Sequence, residues 1–292
     1  MTLRDRLYKE GALLAPGIFD PLTALLVEQA GFEAAYLSGA SVSYTQLGRP
    51  DLGLVTLSQV VDTVSRIRDR VQIPLIVDAD TGFGNALNMI HTVRLLEKAG
   101  ANAIQIEDQS LPKRCGHLAG KELVTIDEMV GKVRAACDAR QSAETLIIAR
   151  TDGIAVEGID AALGRAEAYL QAGADVLFVE APQSLAQMQL IVNRLGGRVP
   201  LLANMVEGGR TPISSMQDLD DLGFKLVITP GSMVRAMAFA GAAMLAELKE
   251  NGATAGFKEA MFNFDQLNDR LGLKETLATG EAYASPEKSA AE

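Results

Sequence analysis

Two hydrophobic rhythms alternate along the chain. Short, mainly apolar runs of four to seven residues occur at 13–19, 34–38, 74–78, 103–106, 146–149, 176–179, 200–204 and 226–229. They are rich in Ile, Val and Leu and bounded by turn-forming residues, the pattern of strands buried on both faces of a parallel sheet. Between them, 56–70, 88–99, 125–140, 158–171 and 185–195 carry apolar residues at helical spacing. Thr56 is placed to cap the first of these helices. Thr125, with Glu128 three residues on, predicts a capping box.

A weak repeat reinforces the alternation. Gln29-Ala30-Gly31, Lys98-Ala99-Gly100, Gln171-Ala172-Gly173 and Asp221-Leu222-Gly223 each read as a helix end and a glycine cap leading into the next apolar run. Eight strand–helix units without a Pro/Gly/Ser-rich linker predict a single (β/α)8 barrel domain over 1–292 rather than an open doubly wound sheet. Residues 233–249 and 259–270 read as further helices, forming a C-terminal extension over 233–277. The stretch 278–292, with Ser285, Pro286 and Lys288, reads as a disordered tail.

Composition narrows the partners. Apolar residues make up 48% of the 292, enough for a large core, and the net charge of −10 argues against nucleic acid. The two cysteines, Cys115 and Cys137, are too few for a disulfide framework. No run approaches the length of a membrane span, and the charged segment Met1 to Arg6 leads into no apolar signal region. The expectation is a cytoplasmic location.

In such barrels the chemistry sits at the C-terminal ends of the strands. Polar residues crowd those ends: Tyr36, Ser38 and Gly39 after the second run, Asp78 and Asp80 after the third, and Glu107 and Asp108 after the fourth. Arg150, Thr151 and Asp152 follow the fifth, Glu180 the sixth, Asn204 and Glu207 the seventh, and Thr229, Pro230 and Ser232 the eighth. One carboxylate at a strand end can be a helix cap; carboxylates or their partners on five successive strands exceed what capping needs. Asp78 and Asp80, two residues apart in a strand, point to one face, where like charges call for a cation between them. Oxygen donors suit Mg2+ or Mn2+, and His117 alone is poor support for zinc. The loop Lys113-Arg114-Cys115-Gly116-His117 sets a thiol among cations, with a glycine that lets the backbone turn tightly. Such a thiol can be an acid, a nucleophile or a soft ligand, or the loop can be a solvated basic turn. Lys113, Arg114 and Arg150 supply positive charge for an anionic substrate.

These motifs together resemble the isocitrate lyase/phosphoenolpyruvate mutase superfamily from about Gly11 to the C-terminal helices. They are Tyr36-Leu37-Ser38-Gly39, Pro50-Asp51, Asp78-Ala79-Asp80, Ile106-Glu107-Asp108-Gln109, Lys113 to His117, Ala149-Arg150-Thr151-Asp152 and Ala203-Asn204-Met205-Val206-Glu207. The resemblance implies an Mg2+-dependent barrel, assembled as a homotetramer with C-terminal helices exchanged between neighbours. It implies that Asp51, Asp78, Asp80 and Glu107 surround the metal, mostly through water. Ser38, Gly39, Ala40 and Arg150 would hold a pyruvate-like fragment, with Gly116, Glu180 and Asn204 beside it.

The cysteine loop resembles that of the lyase branch, in which the thiol protonates the departing carbanion with Lys113 and His117 alongside; phosphonate mutases lack this cysteine. Tyr36 is the candidate base for the substrate hydroxyl. Val206 stands where isocitrate and methylisocitrate lyases carry serine or threonine. Phe264 aligns near the position of their C-terminal arginine, with Arg270 close by in sequence. An apolar group cannot pair a buried carboxylate. The expected substrate is therefore a 2-hydroxy dicarboxylate of the 2,3-dimethylmalate type, cleaved to pyruvate and propionate. The alternatives are 2-methylisocitrate cleavage, then an oxaloacetate hydrolase or decarboxylase, or a phosphonate mutase. Pro230, where hydrolases of the oxaloacetate branch carry serine, favours the lyases. A binding protein without activity is disfavoured, because the metal-side carboxylates and the thiol are all present.

Overall fold

A computed structural model of the chain describes residues 1–116, 120–209, 211–212 and 215–284. Eight strands are formed: β1 (Leu13–Ile18), β2 (Ala35–Leu37), β3 (Leu75–Asp78), β4 (Ala103–Glu107), β5 (Leu146–Thr151), β6 (Val176–Val179), β7 (Leu202–Asn204) and β8 (Leu226–Thr229). They pair in parallel in the order β6-β5-β4-β3-β2-β1-β8-β7. A parallel bridge between Leu177 and Leu201 joins the two ends of this order, and the Leu177 N–H donates to the Pro200 carbonyl at 3.1 Å. The sheet thus closes on itself as the expected (β/α)8 barrel, and the open-sheet alternative is excluded.

Alternation along the strands sorts their side chains into two cores. Leu13, Ala15, Tyr36, Ile76, Ala103, Leu146, Ile148, Val176, Phe178, Leu202, Leu226 and Ile228 form the inner cluster. Leu3 and Leu7 of the N-terminal helix Leu3–Leu7 belong to it too. Their neighbours Val77, Ile104, Ile106, Ile147, Ala149, Leu177 and Val227 pack outward with the helix side chains. This double burial explains why the strands read as mainly apolar runs rather than as alternating ones.

The helices lie close to expectation. Leu57–Arg70 is capped by Thr56, and Ala86–Ala99 begins one turn's fraction earlier than the apolar spacing suggests because Asn85 caps it. The capping box predicted at Thr125 is half formed: Thr125 Oγ1 accepts from the Glu128 N–H at 3.2 Å, but no return bond from the Glu128 carboxylate is made. Complete boxes are formed elsewhere, among them Thr56 with Gln59 and Asn85 with Asn88.

The chain divides into two compact units, 1–235 and 236–292. The first holds the barrel. The second contains most of the helix Ser232–Asn251, followed by a 3-10 turn at Ala255–Ala260 and the helices Phe264–Leu271 and Leu273–Ala282. The last helix continues past Ala278, where the sequence suggested the tail would begin. No described residue from 236 onward is buried. None of the described helices is long and apolar enough to cross a membrane.

Candidate active site

The alternation that fills the barrel also builds the site. Continuing the inward-facing positions to the C-terminal strand ends reaches Ser38, Asp78, Glu107, Arg150, Glu180, Asn204 and Pro230. All seven line one cavity of about 160 Å3, together with Tyr36, Ala40, Asp51, Lys113, Cys115, Gly116 and Val206. Its size suits a small organic acid. Serine 38 also caps the short helix Gly39–Val42, accepting from the Ser41 N–H at 3.2 Å. The Gly39 N–H faces Asp78 Oδ2 at 3.4 Å. Pro230 is fixed by the Ser41 hydroxyl, which donates to its carbonyl at 2.9 Å. Gly17 of β1 lies against the Pro230 backbone, so close that a Cβ there would collide with it.

The acid side of the cavity is organised differently from the sequence reading. Strand β3 ends at Asp78, and Asp80 has a left-handed backbone with φ of 48°. Asp80 is placed beside Asp78 by this turn and not by simple alternation; the Asp80 backbone N–H donates to Asp78 Oδ1 at 3.1 Å. Lys113, 3% exposed in its side chain, lies with Nζ 2.6 Å from both Asp51 Oδ1 and Asp80 Oδ1. Lysine 113 thus belongs to the carboxylate cluster rather than acting only as a neighbour of the thiol. Burial opposes its charge, but Asp80, Glu107 and Asp51 outweigh burial and hold its pKa well above the usual lysine value.

Burial pushes Asp80 up to about 7 against the pull of Lys113, and pushes Glu107 well above the carboxylate range against Arg150. Glu107 Oε1 is buried without a hydrogen-bond partner, while Asp80 Oδ1 has the Lys113 ammonium against it. An orphaned carboxylate oxygen such as Glu107 Oε1 fits a hard divalent cation. Among the described residues no three His, Cys, Asp or Glu side chains converge closely enough to ligate one ion directly. The all-oxygen character of Asp51, Asp78, Asp80 and Glu107 suits Mg2+, which keeps several of its waters.

Tyr36 does not have the environment of a base. Burial, and then the Asp78 charge, raise its pKa well above the usual phenol value. Its hydroxyl donates to Gln105 Oε1 at 3.0 Å, and Gln105 Nε2 donates to Asp78 Oδ1 at 3.3 Å. A phenol held protonated is a hydrogen-bond donor, which favours a positioning role for Tyr36 over that of a base.

On the opposite wall Arg150 donates to both oxygens of Asp152, from Nε at 2.9 Å and Nη2 at 3.1 Å. Its Nε is 3.4 Å from Glu107 Oε2, and its guanidinium lies over the Phe178 ring. Burial disfavours the charge, but Asp152, Glu107 and Glu180 hold the guanidinium well above its ordinary pKa. A Cβ at Gly116 would collide with Arg150 Nη2 and Glu180 Oε1, so only glycine lets the thiol loop approach this wall. Asn204 Nδ2 donates to Glu180 Oε1 at 3.3 Å. Cys115, half-buried and not in a disulfide, lines the same cavity. His117 lies outside the described residues.

Phe264 begins the helix Phe264–Leu271 of the second unit and is 80% exposed. Sequence reasoning missed Arg235, which lines the cavity and pairs with Glu207. The usable signal was its place one turn beyond Ser232, whose hydroxyl donates to Glu207 Oε1 at 2.7 Å. Also missed was Lys121, whose Nζ lies 2.6 Å from Asp152 Oδ1; no spacing rule links those two positions.

The phosphoenolpyruvate phosphomutase family model matches residues 3–249. The chain is 41% identical to 2,3-dimethylmalate lyase of Eubacterium barkeri over 97% of each protein. It is 45% identical to 2-methylisocitrate lyase of Aeropyrum pernix over 93% of this chain and 87% of that protein. Among solved structures, oxaloacetate acetylhydrolase with 3,3-difluorooxalacetate superposes with a TM-score of 0.92 at 30% identity, covering 98% of this chain and 97% of that one. A crystal structure of 2,3-dimethylmalate lyase gives 0.91 at 35%, covering 97% and 95%. Phosphonopyruvate hydrolase in complex with oxalate and Mg2+ gives 0.87 at 32%, covering 97% and 99%. On sequence and fold together, the chain belongs to the phosphoenolpyruvate mutase/isocitrate lyase superfamily.

Proposed function

We propose that the protein is a metal-dependent carbon–carbon lyase that cleaves a 2-hydroxy dicarboxylate of the 2,3-dimethylmalate type to pyruvate and propionate. The observation that carries this reading is Cys115 in the same cavity as Arg150 and the Asp51, Asp78 and Glu107 carboxylates. Asp51, Asp78, Asp80 and Glu107 would hold Mg2+, which supplies positive charge for the oxygen that becomes the keto group of pyruvate.

The chain's own residues do the rest. Arg150, with Ser38 and the Gly39–Ala40 backbone, binds and orients the carboxylate of the pyruvate-forming half. The substrate hydroxyl gives its proton to solvent, the C2–C3 bond breaks, and the electron pair of that bond passes to the carbon beside the second carboxylate. Cys115 gives that carbon its proton from one face, leaving propionate, and the Cys115 thiolate regains its proton from solvent. Tyr36, held protonated, orients Gln105 and through it Asp78. Glu180, Asn204 and Gly116 shape the wall beside the thiol, and Lys113 balances the carboxylates.

Val206 and Pro230 give the substituent end of the cavity an apolar surface, which supports the dicarboxylate. A second reading, 2-methylisocitrate cleaved to pyruvate and succinate, is supported by Arg235 at the same cavity, a cation able to pair a third carboxylate. We further read the protein as a cytoplasmic homotetramer. The exposed Phe239, Phe262, Phe264 and Tyr283 of the C-terminal unit support its being covered by a neighbouring subunit, which could then bring Phe264 to another copy's cavity.

A panel of 2-hydroxy di- and tricarboxylates with Mg2+, read by keto-acid detection, tests the assignment. Pyruvate from 2,3-dimethylmalate faster than from 2-methylisocitrate supports it. A strong preference for the tricarboxylate moves the assignment to the second reading.

A further inference from the structure

The thiol-bearing excursion leaves and rejoins the barrel through a short antiparallel ladder. Gln109 bridges Leu123, the Ser110 N–H donates to the Glu122 carbonyl at 2.9 Å, and the Val124 N–H donates to the Asp108 carbonyl at 2.9 Å. One buried side chain from each leg turns back onto the excursion. From the outgoing leg, Gln109 Nε2 donates to the Arg114 carbonyl at 2.8 Å while its Oε1 accepts from the Arg114 N–H at 2.9 Å. From the returning leg, Lys121 Nζ donates to the Gly116 carbonyl and to Asp152 Oδ1. Arg114 and Gly116 are the residues on either side of Cys115.

We propose that Gln109 and Lys121 are positioning residues that together fix the backbone on both sides of Cys115, and so the face from which its thiol meets the substrate. Neither side chain lines the cavity, so neither touches the reacting atoms. Lys121 also ties the loop to the anion-binding wall, because the Asp152 carboxylate that accepts from it accepts from Arg150 as well. The thiol and the guanidinium are thereby referenced to one buried carboxylate. Proton delivery to carbon depends steeply on such alignment, and a misplacement of about 1 Å can cost about a hundredfold in rate. Substrate binding, which rests on Arg150 and the metal side, is expected to change far less.

The turnover part of this inference rests on the lyase reading above; the reactivity part does not. Gln109→Met and Lys121→Met are compared with the parent protein, with thermal unfolding as the check on folding. Site-resolved iodoacetamide labelling follows Cys115, with Cys137 in the same sample as reference, and steady-state kinetics with 2,3-dimethylmalate and Mg2+ follow turnover. The expected result is a change of about fivefold or more in the Cys115 labelling rate at constant Cys137 rate, and a fall of about tenfold or more in kcat with KM within about threefold. Lys121→Arg, which keeps the donors and the charge, is expected to recover much of the kcat. Folded variants with parental Cys115 labelling and parental kcat overturn the proposal. A loss expressed only in KM overturns it too. Should Lys121→Met fail to fold, Gln109→Met, which changes no charge, decides alone. Should the parent protein show no turnover, the lyase reading fails, and the labelling ratio still decides whether the two side chains hold the thiol.

Discussion

The ammonium of Lys113 lies 2.6 Å from the carboxylate of Asp80, with both side chains buried and Asp51 completing the contact on the other side. A cation therefore already stands among the carboxylates that would hold the metal. Removing it as Lys113→Met leaves two buried acids without compensation. The metal-free variant is expected to lose about 3 kcal/mol of stability, as for other broken buried pairs. Thermal unfolding in EDTA and in Mg2+ checks this: Mg2+ should raise the variant's Tm more than the parent's. Equal Tm values in EDTA would mean that the contact contributes nothing.

The metal-free protein should also respond to pH with a definite sign. The folded pKa of Asp80 is about 7, raised from 3.8 by burial. The folded state thus holds a proton that the unfolded state releases, and the stability this contributes is present below the unfolded pKa and lost as pH rises through the folded one. Glu107 shifts in the same direction. In EDTA, the Tm should fall between about pH 4 and about pH 7, and added Mg2+ should bind more tightly over the same rise. A Tm in EDTA that climbs across this window would contradict the assignment of these two carboxyls.

Tyr36→Phe separates donor from base. Losing the hydrogen bond to Gln105 loosens Asp78 and should lower kcat by about tenfold. The shape of the pH–rate profile should stay the same, because the phenol does not titrate in the working range. Loss of one limb of that profile in the variant would restore Tyr36 as a base.

Val206 and Arg235 divide the two substrate readings. Val206→Thr adds a hydroxyl at the cavity wall and should raise kcat/KM for 2-methylisocitrate relative to 2,3-dimethylmalate by about fivefold to tenfold. Arg235→Met should depress the tricarboxylate alone. Equal effects on both substrates would remove these residues from selection.

The barrel and most of its rim were legible in the sequence because both follow from local rules. Apolar runs gave the strands, and strand alternation carries Asp78, Arg150, Glu180 and Asn204 into one cavity. The errors arose where distance in sequence mattered. Lys113 is two residues from the thiol in the chain but reaches across to Asp51 and Asp80. Asp80 departs from strand geometry at a left-handed turn, which no spacing argument anticipates. The burial of Tyr36, which favours a positioning role over that of a base, shows only in the fold. Lys121 and Asp152 meet across 31 residues, so their pairing was open to sight only in three dimensions.

The measurement closest to the central claim is pyruvate formation from 2,3-dimethylmalate by the parent protein and Cys115→Ala side by side, with Mg2+ and with oxalate binding as the control. The predicted result is turnover in the parent, a loss of about a thousandfold or more in the variant, and similar oxalate affinity in both. Full turnover by Cys115→Ala would contradict the assignment of the thiol as proton donor.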